Sequence, residues 1–278
     1  MKKDETILLQ QPFRNIIGKI IKTESLEGPG AISGDTFKLT SSSGKLYKIR
    51  YCKTQKIART IEKNVKSFSH AFPRFYGREG RYLLFGWFNG RNLTKEPSLN
   101  ECYQIGKLLG EAHALNDIDK NKKADDFFNN RLELVKKNKV FDEKIYARIV
   151  LMYKRLKEKL KIDIVLEFHD VHPRNLMIDK NETVLYVDEE GFTHKVKGLG
   201  LAKPLFINEI IKSSEQKESF WKGYHEHHNS DYFDKDYQVM VLFLQLIRSI
   251  GTKSSSKNLT DRRKEVFEKH KKMLMGLI

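Results

Sequence analysis

The chain contains few of the residues that cross-link or interrupt a protein. Its 278 residues include 2 cysteines and 6 prolines. Two thiols, Cys52 and Cys102, cannot build a framework of several disulfides, and neither lies in a spacing typical of a metal site. Reduced cysteines are typical of an intracellular protein. We therefore expect a cytoplasmic protein whose fold depends on a hydrophobic core.

Long apolar runs are also missing. The most apolar stretch, residues 239–247, is far shorter than the roughly 20 residues that cross a bilayer, so no membrane span is expected. The N-terminal segment MKKDETILLQQPF has basic residues but not the apolar stretch of a signal peptide. Apolar residues make up 39% and charged residues 32% of the chain. This composition excludes a disordered chain and favours a soluble globular protein.

Positive charge is what the chain has in excess. There are 52 Lys and Arg residues against 36 Asp and Glu, which gives a net charge of +16. Such an excess is typical of a protein that meets a polyanion such as RNA. It is equally compatible with solvated helix faces, because most lysine clusters lie beside acidic residues. The charge alone therefore leaves an RNA partner open.

The sequence pattern changes character near residue 88. Residues 36–40 and 45–52 alternate as strands around the turn SSSG, a helix is expected at 57–68, and two further strands at about 75 and 82–88. From residue 99 onward helical periodicity dominates, interrupted between about 162 and 187. The pattern predicts an α+β, two-lobed fold. Residues 1–88 form a small antiparallel sheet with one main helix, and residues 89–278 form a larger, mostly helical lobe.

Residues 162–192, IDIVLEFHDVHPRNLMIDKNETVLYVDEEGF, gather polar groups around a predicted strand pair. Asp170 and Asn175 lie five residues apart before the pair, and Asp188 follows its second strand. Phosphoryl transfer can use one carboxylate to accept the proton of the attacking hydroxyl. The amide oxygen and the other carboxylate would hold magnesium against the phosphate oxygens. An aspartate and an asparagine at this spacing also occur in ordinary hairpins, but their placement before a strand that ends in a carboxylate favours catalysis.

The motifs of this segment resemble those of a known family. HDVHPRN is similar to the HGDLHPGN-type catalytic loop of the aminoglycoside phosphotransferase and choline kinase superfamily, and YVDEEG resembles the metal-binding segment IDxE. The resemblance implies a protein-kinase-like fold. It implies that Asp170 is the catalytic base, that Asn175 and Asp188 are magnesium ligands, and that Glu190 is a further candidate ligand. One departure is visible, since Phe168 stands where the family has His and His169 where it has Gly.

The resemblance also implies an activity. The expected reaction transfers the γ-phosphoryl group of ATP (or GTP), with Mg²⁺, to a hydroxyl of a small molecule such as an amino alcohol, an aminoglycoside or a sugar. The alternative is an RNA kinase or a kinase for another polyanionic acceptor, which would give the net charge a purpose. A catalytically dead module with this fold is disfavoured, because Asp170, Asn175 and Asp188 are all retained. The oligomeric state is not indicated.

A glycine-rich turn precedes the first predicted hairpin. GPGAISG, at 28–34, offers backbone amides that could approach phosphate oxygens, which makes Gly28, Gly30 and Ser33 candidate nucleotide contacts. Its spacing is neither that of the protein-kinase loop nor that of a Walker A loop. A flexible hairpin explains the same residues equally well.

The hairpin FKLTSSSGKLYKIRY resembles the family strands that carry the phosphate-contacting cation. The alignment implies Arg50 for this role, and Lys48 lies two residues earlier on the same strand face, so either can fill it. Glu62, on the next helix, is expected to pair with this cation. RYLLFGWFNGRNL, at 81–93, resembles the family hinge, which implies that adenine lies near Phe85 and Phe88.

The segment WKGYHEHHNSDYFDKDY, at 221–237, resembles the acceptor-side helices of the family. Its acidic residues Glu226, Asp231, Asp234 and Asp236 could meet a cationic acceptor or cap a helix. The run HEHH lacks the spacing of a zinc-binding HExxH motif, so no zinc site is expected.

Overall fold

The structure is a computed structural model that describes residues 13–26, 34–94, 96–207, 210–228, 234–256 and 259–278. The chain forms two compact units. The first contains residues up to Leu93 together with Pro173–Phe192, and the second contains Thr94–His172 and Thr193–Ile278. This division differs from the predicted one at residue 88. Residues 173–192 belong with the first unit because their two short strands extend a sheet that starts at Arg91–Asn92.

Strands and helices alternate in the first part of the chain, and helices dominate later. The strands are β1 Ile20–Ser25, β2 Gly34–Ser41, β3 Leu46–Cys52, β4 Phe75–Glu79, β5 Tyr82–Gly86, β6 Arg91–Asn92, β7 Ile164–Phe168, β8 Leu176–Ile178, β9 Val184–Tyr186 and β10 Phe192–Val196. The helices are α1 Arg14–Ile17, α2 Gln55–Ser67, α3 Leu99–Ala114, α4 Ala124–Lys137, α5 Glu143–Lys159, α6 Ser214–His225, α7 Lys235–Ser254 and α8 Asp261–Leu277.

The first unit is built on a five-stranded antiparallel sheet in the order β1-β2-β3-β5-β4. The predicted hairpin is confirmed, because β2 pairs with β3. Its turn closes where the Lys45 amide donates to Ser41 Oγ at 3.1 Å. Tyr47 and Ile49 of β3 pack into an apolar cluster with Leu39 and Leu84. Since side chains alternate along a strand, Lys48 and Arg50 project from the opposite face.

Helix α2 follows the hairpin and is amphipathic. The Thr54 side chain caps it by accepting a hydrogen bond from the Ile57 amide at 3.2 Å. Ala58, Ile61 and Val65 are buried. One polar residue of this face, Asn64, is also buried, and its amide donates to the Phe192 carbonyl at 2.9 Å. This bond ties α2 to the end of the segment that carries the predicted metal ligands.

Strands β6, β8 and β9 form a second, three-stranded sheet in the first unit. The turn between β8 and β9 is held by Asp179, whose carboxylate accepts hydrogen bonds from the Asn181 amide at 2.8 Å and the Thr183 amide at 2.9 Å. Asparagine and aspartate stabilise tight turns in this way. The strand pair predicted from LMI and TVLYV is therefore confirmed, and β9 ends two residues before Asp188.

The second unit is mostly helical. Its core surrounds α7, whose Met240, Phe243, Leu244 and Ile247 are buried. The helix starts are marked by capping side chains at Ser98, Asp142, Ser213 and Asp234. Among the described helices, none is both long and apolar enough to cross a membrane.

Helices α3 and α6 approach each other closely because glycines line their contact. A Cβ atom on Gly106 would lie 1.9 Å from the Phe220 carbonyl oxygen, and one on Gly110 would lie 2.3 Å from the Tyr224 carbonyl oxygen. A Cβ on Gly223 of α6 would lie 2.1 Å from the Tyr103 carbonyl oxygen. Any side chain at these positions would push the two helices apart.

A buried polar network joins α3 and α6 to the end of β7. Glu167 is fully buried, and its carboxylate accepts hydrogen bonds from the Gly198 amide at 2.6 Å and the Gly200 amide at 2.9 Å. His113 lies 3.0 Å from the same carboxylate through Nε2 and 2.7 Å from the Tyr224 hydroxyl through Nδ1. The network fixes the strand end that leads to Asp170.

Candidate active site

The two candidate phosphate-contacting cations of β3 both pair with the predicted metal-binding segment. Lys48 Nζ lies 2.7 Å from the Glu189 carboxylate and donates to the Val187 carbonyl oxygen at 2.7 Å. The Arg50 guanidinium forms an ion pair with Glu190, and its Nη1 atom lies 3.9 Å from the Asp188 carboxylate. The first unit thus brings Lys48, Arg50, Asp188 and Glu190 together.

Asp188 lies beside two carboxylates and two cations, and it is partly buried. Burial raises its pKa, the Glu190 and Glu189 carboxylates raise it further, and Arg50 and Lys48 offset only part, so that the pKa is about 7. A divalent cation beside this carboxyl would favour its ionised form, and carboxylate oxygen is the ligand type that magnesium prefers. The local electrostatics therefore fit a bound magnesium ion.

Asn175, the other predicted ligand, ends the 3₁₀ turn Pro173–Asn175. Its carbonyl oxygen accepts a hydrogen bond from the Val187 amide at 2.9 Å, which fixes its backbone next to the residue before Asp188. No group of three or more His, Cys, Asp or Glu side chains in the described part of the chain is arranged to hold a metal.

Glu62 does not pair with the β3 cations, and this expectation is wrong. Its carboxylate accepts from Lys66 Nζ at 2.8 Å and from Arg78 Nε at 2.5 Å. Helix α2 presents Glu62 to Lys66 one turn later and to Arg78 of β4. The carboxylate that faces Lys48 is instead Glu189, whose side chain is fully buried.

The predicted nucleotide contacts differ in what the structure says of them. Gly28, Gly30 and Ser33 lie outside the described residues. Phe85 is fully buried, with its ring centroid 5.1 Å from that of Phe75, so it belongs to the core of the sheet. Phe88 lines a pocket of about 470 Å³.

Residues from both faces of the sheet line this pocket. Tyr47 and Tyr76 pack on the face opposite to Lys48, whereas Leu46 lies on the strand face that carries Lys48 and Arg50, and Trp87 also lines the pocket. The residue between the two predicted hinge contacts, Trp87, lies under Lys38, whose Nζ is 4.4 Å from the indole centroid. Lys38 is the register partner of Lys48, so Trp87 reaches the face of the cations.

Asp170 belongs to the second unit and lies two residues beyond the buried strand β7. It forms an ion pair with Lys203, which lies in the π-helical turn Ala202–Phe206. Burial by itself raises the pKa of Asp170, but Lys203, with help from Arg248 and His169, outweighs burial and brings the pKa to about 2. Asp170 is therefore ionised at neutral pH and can accept a hydrogen bond from a hydroxyl.

The departure from the family motif at residues 168 and 169 adds no charged group. Phe168 is fully buried. Burial, together with Arg248 and Lys195, keeps the pKa of His169 well below its usual range, so the imidazole is neutral. Asp170 is therefore the ionised carboxylate of this loop.

Two charged residues that complete these clusters are missed by reasoning from sequence. Glu189 lies between the two predicted ligands of the run DEE. Its position between two carboxylates is the feature of the sequence that could have suggested a role for it. Lys203 is 33 residues from Asp170. No periodicity or motif connects them, so their pairing depends on tertiary structure.

Comparison with known proteins gives structural matches only. No protein-family model and no curated sequence matches the chain. Among solved structures, choline kinase LicA from Streptococcus pneumoniae aligns with a TM-score of 0.68 at 14% identity, over 99% of this chain and 100% of that one. A spectinomycin phosphotransferase in complex with ADP and spectinomycin aligns with a TM-score of 0.68 at 17% identity, over 98% and 94%. Amicoumacin kinase in complex with AMP-PNP, Ca²⁺ and Ami aligns with a TM-score of 0.65 at 12% identity, over 99% and 94%.

These matches extend over nearly the whole chain and confirm the predicted fold. The chain has a kinase-like α+β fold that it shares with a choline kinase and a spectinomycin phosphotransferase. At 12–17% identity the likeness concerns the fold. Function has to be argued from the site.

Proposed function

We propose that the chain is an ATP- and magnesium-dependent phosphotransferase that moves the γ-phosphoryl group to a hydroxyl of a small molecule. The observation that carries the proposal is the ionised Asp170 carboxylate, held by Lys203 at the end of a buried strand. It occurs in a chain whose fold is shared with a choline kinase and a spectinomycin phosphotransferase. The kinase chemistry rests on this combination.

In the proposed reaction the acceptor hydroxyl donates a hydrogen bond to Asp170. As the hydroxyl oxygen attacks the γ-phosphorus, its proton passes to Asp170. The bond between the γ-phosphorus and the oxygen that bridges to the β-phosphate breaks, and ADP leaves with that electron pair. Such catalysis depends mainly on positioning and charge stabilisation, so few reactive side chains are required.

The first unit would hold the nucleotide phosphates. Arg50 or Lys48 would contact them, and Asn175, Asp188 and Glu190 would hold magnesium, whose charge, when bound, would stabilise the phosphate oxygens. The raised pKa of Asp188 supports this assignment, because burial and the two neighbouring carboxylates disfavour its ionised form, and a bound divalent cation would favour that form. Gly28, Gly30 and Ser33 stay candidate phosphate contacts, and the Phe85–Phe88 segment stays the candidate adenine contact. The proposed phosphoryl donor is ATP or GTP.

The test is a transfer assay with γ-labelled ATP or GTP, magnesium and a panel of amino alcohols, aminoglycosides and sugars. We expect Asp170→Ala to lower turnover by about 10² to 10⁴-fold, because a general base is lost. The dissociation constant for the nucleotide should stay nearly unchanged, and Asp126→Ala, at an exposed position of α4, is the matched control. Turnover of the Asp170 variant within about tenfold of wild type would remove it as the base.

The net charge of +16 favours an RNA acceptor as a second candidate. If the charge serves RNA, the logarithm of affinity should fall with the logarithm of salt concentration by about 0.7 for each phosphate contact. Dispersed lysines would instead give weak binding that vanishes near physiological salt, where the Debye length is about 8 Å. Stoichiometric labelling of an RNA at physiological salt would show that the acceptor is RNA and not a small molecule.

A further inference from the structure

The second unit contains three half-buried cations at one helix crossing. Helices α4 and α7 meet where Gly251 approaches Arg131, since a Cβ on Gly251 would lie 2.9 Å from the Arg131 carbonyl oxygen. Arg248 precedes Gly251 by one turn of α7. The third cation, Lys195 of β10, has its Nζ 6.0 Å from the ring centroid of Phe127, one turn before Arg131 on α4. Arg131, Lys195 and Arg248 are referred to below as the basic cluster.

Lys195 is repelled by the other two cations of the basic cluster. Burial lowers the pKa of Lys195, and Arg248, Arg131 and Lys122 lower it further, to about 8. Burial also lowers the pKa of Arg131. Each charged group that perturbs Lys195 is thus another cation.

Within the part of the chain that the structure describes, neither Lys195 nor Arg131 has a carboxylate at ion-pair distance. The cations of the first unit are different, because the half-buried Lys48 pairs with Glu189 and the buried Arg50 with Glu190. Partly desolvated cations without a paired carboxylate, as Lys195 and Arg131 are, are unfavourable. An anion bound among them would turn this repulsion into binding energy.

The basic cluster adjoins the proposed catalytic base. Arg248 Nη1 donates to the carbonyl oxygen of His169 at 3.3 Å, and His169 directly precedes Asp170. Arg248 and Lys195 both shift the pKa of the His169 imidazole, as does Asp170 itself. An anion bound by the basic cluster would therefore lie close to an acceptor hydroxyl that donates a hydrogen bond to Asp170.

The acidic residues that could have met a cationic acceptor have other partners. The Asp234 carboxylate caps α7 by accepting from the Tyr237 amide at 2.7 Å, and Asp236 pairs with Lys159 at 3.1 Å. Glu226 accepts from the Tyr103 hydroxyl at 2.6 Å. Asp231 lies outside the described residues.

We infer that the acceptor carries a phosphate or carboxylate group in addition to its hydroxyl, and that Arg131, Lys195 and Arg248 bind this anionic group. The inference rests on the proposed phosphotransferase function and names the class of its acceptor. Guanidinium groups suit both anions, because their planar donors form paired hydrogen bonds with two oxygens. Three cations at one helix crossing match a single oxyanion, whereas RNA would require a longer basic stripe.

The first test measures anion binding without catalysis. Inorganic phosphate is titrated calorimetrically into the full chain in the presence of saturating ADP and magnesium, which occupy the nucleotide site. We expect Arg131→Gln and Lys195→Gln each to weaken phosphate binding by about tenfold, since each removes a charge-assisted hydrogen bond. Arg155→Gln and Lys154→Gln, at exposed positions of α5, are the matched controls and should bind as wild type. Failure of phosphate to bind, or equal binding by all variants, would overturn the inference.

The second test compares acceptors that differ in one anionic group. The pairs are glucose with glucose 6-phosphate and glycerol with glycerate, alongside choline and a short RNA. We expect a kcat/KM at least about tenfold higher for the anionic member of a pair, and Lys195→Gln should raise KM more than it lowers kcat. Preference for choline, for the uncharged members or for RNA would contradict the inference. Phosphate binding by the cluster without transfer to any acceptor would count against the phosphotransferase and still support the anion site.

Discussion

Replacing Asp188 by asparagine should separate stability from function. The pKa of Asp188 is about 7, against an ordinary value of 3.8. At about 1.4 kcal/mol for each pKa unit, this difference corresponds to about 4 kcal/mol by which the folded state disfavours the ionised carboxyl. Because 28% of the side chain is exposed to solvent, we reduce this to about 2 kcal/mol. Asparagine keeps the shape and removes the charge, so the metal-free variant should be more stable than wild type by about this amount at pH 8.

The effect should depend on pH with a definite sign. Below about pH 4 the carboxyl is protonated in both the folded and the unfolded chain, so it does not affect stability. Between pH 4 and 7 the unfolded chain releases the proton and the folded chain keeps it. Wild-type stability therefore falls with rising pH over this window and levels off above pH 7. The advantage of the variant should be small at pH 4 and greatest at pH 8.

The assay is thermal unfolding with EDTA at both pH values, then with ATP in the presence and absence of magnesium. At pH 8 we expect a melting temperature higher by roughly 3 to 6 °C for Asp188→Asn. The additional stabilisation that wild type gains from ATP with magnesium should be largely lost. Glu79→Gln, at an exposed position of the same unit, is the charge-matched control. A variant that is less stable than wild type at pH 8, or that keeps the full magnesium-dependent shift, would refute the reasoning.

Three further predictions follow from the contacts around the site. Lys203→Met should raise the pKa of Asp170, because burial then acts without its main counterion, and the acidic limb of the kcat/KM profile should move to higher pH; an unchanged limb would argue against the pair. Glu189→Gln should lower the free energy of unfolding by about 2 to 4 kcal/mol in denaturant titrations, since it leaves Lys48 without its buried partner; a loss below about 0.5 kcal/mol would contradict this. Gly110→Ala should lower the free energy of unfolding by about 2 kcal/mol or more, because its Cβ would lie 2.3 Å from a carbonyl oxygen. Gly276→Ala is the control and should have little effect, because a Cβ at Gly276 meets open space.

The local sequence pattern correctly predicted the β2–β3 hairpin and helix α2. The β2–β3 hairpin follows from alternation around SSSG, and α2 from its apolar spacing, because both patterns reflect repeats of the backbone itself. The motif around Asp170 and the carboxylates at 188 and 190 could be named as candidates because these residues are close in sequence and form motifs similar to known ones. The Glu62 pairing failed because a helix position offers several partners. Lys66, one turn later on α2, and Arg78 of the following strand β4 pair with Glu62 instead.

The sequence by itself determined the fold class, the candidate base and the candidate metal ligands. Only the tertiary structure decided which charges meet. In the tertiary structure Lys203 pairs with Asp170, and the buried Glu189 pairs with Lys48. Arg131, Lys195 and Arg248 lie close to one helix crossing. The composition shows a net charge of +16 but not where the charged residues lie in the fold. It therefore does not distinguish a solvated surface from a binding site for a polyanion. Charge–charge interactions depend on distance and burial, and neither can be obtained from the order of residues before the helices pack.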